Sequence, residues 1–153
     1  MGKEIERKFL VAGDGYRALG EGVEYRQGYL SSVKERVVRV RTMGDRAALT
    51  VKGVSVGATR AEFEYPIPTE DARQLLELCE QPLVEKTRYK VAFGGLVWEI
   101  DEFHGANAGL TVAECELASE DQRIDRPAWV GEEVTGDPRY FNSNLIARPF
   151  TTW

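Results

Sequence analysis

The chain has 153 residues, 42% hydrophobic and 29% charged, with a formal net charge of −5. That is one domain's worth of ordinary globular composition, large enough to bury a core without staples. A net acidic chain is a poor general nucleic-acid binder, Cys79 and Cys115 fit neither a metal spacing nor a disulfide scaffold, and no apolar run is long enough to span a membrane as a helix. The expectation is a single domain over residues 1–153, cytoplasmic, without signal or transit peptide, and with no nucleic-acid or membrane partner.

In chain order, KEIERKFLV (3–11) predicts a strand whose period-two alternation puts Glu4, Glu6 and Lys8 on one face and Ile5, Phe9 and Val11 on the other, with Arg7 the exception on that side. AGDGYRALGEG has room for one helical turn, with Asp14 as a candidate N-cap. VEYRQGYLS (23–31) predicts a second strand with Tyr25, Gln27 and Tyr29 on one face. RVVRVRT (36–42) predicts a third, placing Arg39 and Arg41 opposite Val38 and Val40. Met43-Gly44-Asp45 reads as a hairpin turn. The fourth strand, RAALTVKG, puts Thr50 and Lys52 opposite Leu49 and Val51. The fifth, TRAEFEYPI, puts Arg60, Glu62 and Glu64 opposite Ala61, Phe63, Tyr65 and Ile67. From Pro68 a helix is expected, capped by Thr69, with Glu70 and Asp71 in its first turn and Ala72, Leu75, Leu76 and Cys79 as its apolar stripe. Strand six (LVEKTRYKVAF) aligns Lys86, Arg88 and Lys90, Gly94-Gly95 turns into strand seven (LVWEIDEF) with Glu99 and Asp101 on one face, and strand eight (LTVAECELA) aligns Glu114 and Glu116. The tail reads as a helical turn at SEDQRID, an irregular stretch, and a last helix from about Pro138 to Ala147. This pattern predicts an α+β, mainly β fold: eight antiparallel strands closing into a barrel, with a few flanking helices.

Charge signs are sorted by strand. Like charges at i and i+2 on one strand face sit roughly 7 Å apart and repel, so the same-sign doublets are poor solubility decoration. They suit a site where basic strands hold a polyanion and acidic strands hold hard cations; cross-strand ion pairing on a wet exterior is the alternative. The expectation is that the doublets line the barrel interior while Ile5, Val38, Val40, Phe63, Trp98, Ile100 and Leu117 pack outward. Carboxylates without imidazole or thiolate clusters suit Mg²⁺, Mn²⁺ or Ca²⁺ over Zn²⁺. The lone histidine, His104, sits in a Gly-rich turn, and no GxxxxGK[ST] loop is present, so side chains would have to hold phosphate.

On these residues the chain resembles the CYTH-domain, or triphosphate tunnel metalloenzyme, family. The family's ExExK matches Glu4, Glu6 and Lys8, and its RxR matches Arg39 and Arg41. TxKG matches Thr50, Lys52 and Gly53; ExE matches Glu62 and Glu64; KxR matches Lys86 and Arg88; ExD matches Glu99 and Asp101. The late ExE matches Glu114 and Glu116, with Cys115 where many relatives carry valine, and YFNSNL resembles the family's C-terminal helix. The resemblance implies an eight-stranded tunnel with a charged interior that binds triphosphate and one or two divalent ions. Among family activities, the compact chain is most similar to bacterial members acting on inorganic triphosphate. Thiamine or nucleoside triphosphate hydrolysis, a class IV-type adenylyl cyclase and a non-catalytic polyphosphate- or nucleotide-binding module are the alternatives. The expected substrate-binding set is Lys8, Arg39, Arg41, Lys52, Lys86 and Arg88. The expected ligands for Mg²⁺ or Mn²⁺ are Glu4, Glu6, Glu62, Glu64, Asp101, Glu114 and Glu116, and catalysis is expected to centre on Glu4, Glu6, Lys8, Lys52, Glu114 and Glu116. The oligomeric state stays open, a homodimer included.

Overall fold

The computed structural model describes residues 2–153. Nine strands form one antiparallel sheet: β1 (Lys3–Val11), β2 (Gly22–Ser31), β3 (Val37–Met43), β4 (Arg46–Lys52), β5 (Thr59–Pro66), β6 (Val84–Phe93), β7 (Leu96–Phe103), β8 (Thr111–Glu116) and β9 (Val130–Glu133). Their spatial order is β5-β4-β3-β2-β6-β7-β8-β1-β9, and a β5–β1 pairing closes the first eight into a barrel. Tight hairpins make this order cheap to form. Gly94 and Gly95, with φ of 60° and 78°, supply the two positive-φ positions of the two-residue β6–β7 loop, where a side chain would be strained.

β1 is the seam strand. It pairs with β5 only over Lys3–Ile5, with β8 over Glu6–Leu10, and with β9 at Phe9 and Val11. Arg7, the polar residue on the apolar face, is satisfied there: it makes a two-pronged contact with Glu133 of β9, at 2.8 and 2.6 Å. The ninth strand is an addition to the eight expected. VGEE lacks an apolar alternation, and it forms because β1 offers it an edge.

Outside the barrel, Ile5, Phe9, Trp98, Ile100, Cys115 and Leu117 pack under Tyr16 and Trp129. Each such large apolar side chain, fully buried, contributes about 1.5–3 kcal/mol. The helix α1 (Thr69–Glu77) lays Ala72 and Leu76 over Val40 and Ala47, with Cys79 beside them. Pro68, not Thr69, holds its N-cap position, and Asp14 heads a 3₁₀ turn (Gly15–Ala18) without a side-chain cap. Val38 is half-buried and Phe63 is left 47% exposed, so the outward face is only partly covered.

A third cluster lies where the inward faces turn apolar: Val84, Phe103 and Val112, with Leu10, meet Val134, Tyr140 and Leu145 of the C-terminal segment and floor the barrel. The expected last helix over 138–147 is instead two 3₁₀ turns, Pro138–Tyr140 and Asn142–Leu145, split by an extended Phe141 (φ −70°, ψ 126°). SEDQRID forms one hydrogen-bonded turn, Gln122 N donating to Ser119 O at 3.2 Å, and no helix beyond it; its Glu120 accepts hydrogen bonds from Ala58 N and Thr59 Oγ1. No helix among the described residues is long and apolar enough to cross a membrane.

Candidate active site

The alternation of each strand, held in register by its neighbours, turns one polar face after another toward the barrel interior. There it leaves a cavity of about 350 Å³. All six expected basic residues, Lys8, Arg39, Arg41, Lys52, Lys86 and Arg88, line it, as do Glu4, Glu6, Glu62, Glu64, Glu114 and Glu116. Exposed Arg46, Glu64, Lys90 and Glu116 mark where it meets solvent. Asp101 was expected as a metal ligand, but it does not line the cavity. It sits 1% exposed behind the wall, bound by Arg88 Nε at 2.7 Å, Arg88 Nη2 at 2.8 Å and Lys86 Nζ at 2.9 Å. Glu64 is similarly engaged, accepting from Thr50 Oγ1 at 2.8 Å and from Arg39 at 3.3 Å and Arg41 at 3.5 Å. Glu62 lies 3.3 Å from Lys52, which also donates to Glu4 at 3.0 Å.

The cations are crowded. Arg41 and Arg88 both stack on Tyr25, with guanidinium carbons 5.0 and 4.9 Å from its ring centre. Burial, then the charges of Arg39 and Arg88, pull Arg41 down to about 10. Burial likewise pulls Lys86 down to about 7 against the opposing pull of Asp101. The Nε atoms of Arg39 and Arg41 are buried without a partner, a cost the fold tolerates where a ligand supplies acceptors.

The carboxylates divide into two kinds. Burial would raise Glu114, but Lys8 and Arg88, the latter at 3.0 Å, hold it well below its ordinary range. Glu6 goes the other way: burial, then the charges of Glu114 and Glu4, push it well up. Burial also raises Glu4 and Glu116, the latter helped by Glu4 and Glu99. Opposed carboxylates that resist ionising together are stabilised by a cation placed among them. Among the described residues, no three acidic, His or Cys side chains already converge as a preformed metal cage. The donor set of Glu4, Glu6, Glu114 and Glu116 is nevertheless all oxygen, which fits a hard divalent ion.

His104 is an exposed turn residue whose Nε2 lies 2.7 Å from Thr87 Oγ1, away from the cavity, and both cysteines are buried free thiols. The sequence reading missed Arg46 and the floor residues Thr135, Phe141, Asn142 and Ser143. The alternation that marks Glu62, Glu64, Lys86 and Arg88 also carries the rim residues Arg60 and Lys90. The C-terminal segment offers no such period.

The CYTH domain family matches residues 2–150. An inorganic triphosphatase of Acetivibrio thermocellus is 55% identical over 151 residues, 98% of this chain and 97% of that protein. One of Nitrosomonas europaea is 40% identical over 146 residues, 93% of this chain and 95% of its own length. The crystal structure of the inorganic triphosphatase NE1496 superposes with a TM-score of 0.66 at 38% identity, covering 94% of this chain and 93% of that one. A charged closed barrel, the ordered motifs that line it and this match along nearly the whole length agree: the chain belongs to the CYTH-domain family.

Proposed function

We propose that this chain is a divalent-metal-dependent triphosphatase whose substrate is inorganic tripolyphosphate. The observation that carries the reading is the meeting of six cationic side chains and a set of mutually repelling carboxylates in one cavity of about 350 Å³. The names of the two relatives support it.

Lys8, Arg39, Arg41, Lys52, Lys86 and Arg88 grip phosphoryl oxygens and oppose the charge that builds on them as the anhydride bond breaks. Asp101, Glu64 and Glu62 serve this cradle indirectly, by holding Arg88, Lys86, Arg39, Arg41 and Lys52 in direction. Glu4, Glu6, Glu114 and Glu116 would hold Mg²⁺ or Mn²⁺, which supplies positive charge at the phosphoryl oxygens and acidifies water there. Glu6, raised by burial and by the charges of Glu114 and Glu4, would be a strong base in its ionised form and would take the proton released by the attacking water. The apolar floor keeps bulk water from the deep end of the site, where Lys86 and Arg88 act in low dielectric.

The test is orthophosphate release from tripolyphosphate with Mg²⁺, Mn²⁺ or a chelator, beside ATP and thiamine triphosphate, with assay for a cyclic nucleotide. Metal-stimulated release, fastest with tripolyphosphate, is expected. A cyclic product from ATP, or binding without release, would replace this reading with a cyclase or a sensor.

A further inference from the structure

Residues 134–145 enter the site from outside the motif strands, and one of them is wired to the phosphate cradle. Lys86 is 1% exposed, and its ammonium has three donors and no acceptor. One N–H goes to Asp101 Oδ2 at 2.9 Å and one to Asn142 Oδ1 at 2.8 Å. The same oxygen accepts from Nε2 of the fully buried Gln27 at 3.2 Å. An ammonium can only donate, so the Asn142 oxygen must face it; the opposite flip would set an amide NH₂ against Lys86. Nδ2 is thereby turned the other way. It has no hydrogen-bond partner among the described residues, and it is not among the buried unpaired atoms. Asn142 lines the cavity.

We propose that Asn142 is a substrate-binding residue, its Nδ2 donating to a phosphoryl oxygen at the deep end of the cavity while its Oδ1 aims the third N–H of Lys86 at the same phosphoryl group. The proposal rests on the triphosphate reading above. A neutral donor suits this position. Arg39, Arg41, Lys86 and Arg88 already crowd the wall, and an amide adds a contact without adding to their repulsion.

The experiment is a double-mutant cycle on tripolyphosphate affinity, read by calorimetry in chelator so that turnover does not enter. Asn142→Ala is made in the parent and in Lys86→Met, where aiming Lys86 no longer counts. Loss of a hydrogen bond to a charged group is expected to weaken binding about tenfold in the parent and still several-fold in Lys86→Met. No further loss in Lys86→Met would overturn the contact and leave Asn142 as a holder of Lys86 alone. Asn142→Asp, which keeps the acceptor for Lys86 and so the floor, is the second variant. It should bind at least as weakly as Asn142→Ala, with KM raised more than kcat is lowered, and parent-like affinity would overturn the proposal. A parent that binds no tripolyphosphate would refute the function and this contact together, whereas a binding parent with unaffected variants refutes only the contact.

Discussion

Replacing Asp101 by Asn separates a metal ligand from a hidden counter-charge. Both oxygens of Asp101 are taken, by two Arg88 nitrogens at 2.7 and 2.8 Å and by Lys86 at 2.9 Å, in a side chain only 1% exposed. Removing one partner of such a buried set leaves uncompensated charge, which costs about 3–5 kcal/mol. Asn keeps one acceptor oxygen but turns an NH₂ toward a cation, which puts the loss near the lower figure, about 3 kcal/mol. At about 2–4 °C per kcal/mol for a domain of this size, the melting temperature should fall by about 6–12 °C. The assay is thermal unfolding by circular dichroism in chelator, paired with a Mg²⁺ and Mn²⁺ titration of phosphate release. Hydrolysis should drop at every metal concentration, because Arg88 and Lys86 lose their direction. An unfolding temperature within about 2 °C of the parent, together with activity restored by extra metal, would refute the counter-charge role and return Asp101 to the ligands.

Other perturbations read the two signs of charge separately. Glu6 is held well above the ordinary carboxylate range by burial and by Glu114 and Glu4. The stability this group contributes is therefore complete below its unfolded value and is lost as pH rises through the raised one. Glu6→Gln should accordingly unfold at higher temperature than the parent at pH 8 in chelator, with the gap closing toward pH 4; a gap that widens on acidification contradicts the assignment. Arg39→Ala deletes a charge-assisted phosphate contact worth about 1.5–3 kcal/mol, so kcat/KM should fall about ten- to a hundredfold with no recovery at raised metal. Glu114→Gln should recover in part with added metal, and matching, metal-insensitive losses in both variants would dissolve the division of labour. Tripolyphosphate with Mg²⁺ should raise the melting temperature more than orthophosphate does, since a matched polyanion binds only the folded state; equal shifts would count against a matched site.

The strands and their inward faces were legible because period-two alternation is strong and each polar face carries charge of mostly one sign. Glu4, Glu6, Lys8, Arg39 and Arg41 needed only phase to be placed in the cavity. Depth was not legible. Alternation says which way Asp101 points but not that Arg88 and Lys86 close over it, nor that the same face turns apolar at Leu10, Val84, Phe103 and Val112. The expected last helix fails because Pro138 marks a helix start while Tyr140, Phe141, Asn142, Ser143 and Asn144 propagate one poorly: Tyr140 and Leu145 are pulled into the floor, and the turns there tighten to 3₁₀ geometry. One signal did point to the missing strand. Arg7 on an otherwise apolar face called for an acceptor, and Glu133 is that acceptor.

The seam at β1 has a bearing on biosynthesis. Lys3–Ile5 of β1 can pair once β5 is made, but Glu6–Val11 finds its partners only when β8 and β9 have emerged, more than a hundred residues later, as the pairing of Lys8 with Glu114 shows. Until then that half of β1 presents an open edge and the charges of Glu6, Arg7 and Lys8 to solvent, and such non-local pairing is slow. Asn142 arrives later still, so a nascent chain can gather its cations before it has a floor beneath them. A half-made barrel is thus a charged gutter without a bottom, and only the finished polypeptide can shut water out of it.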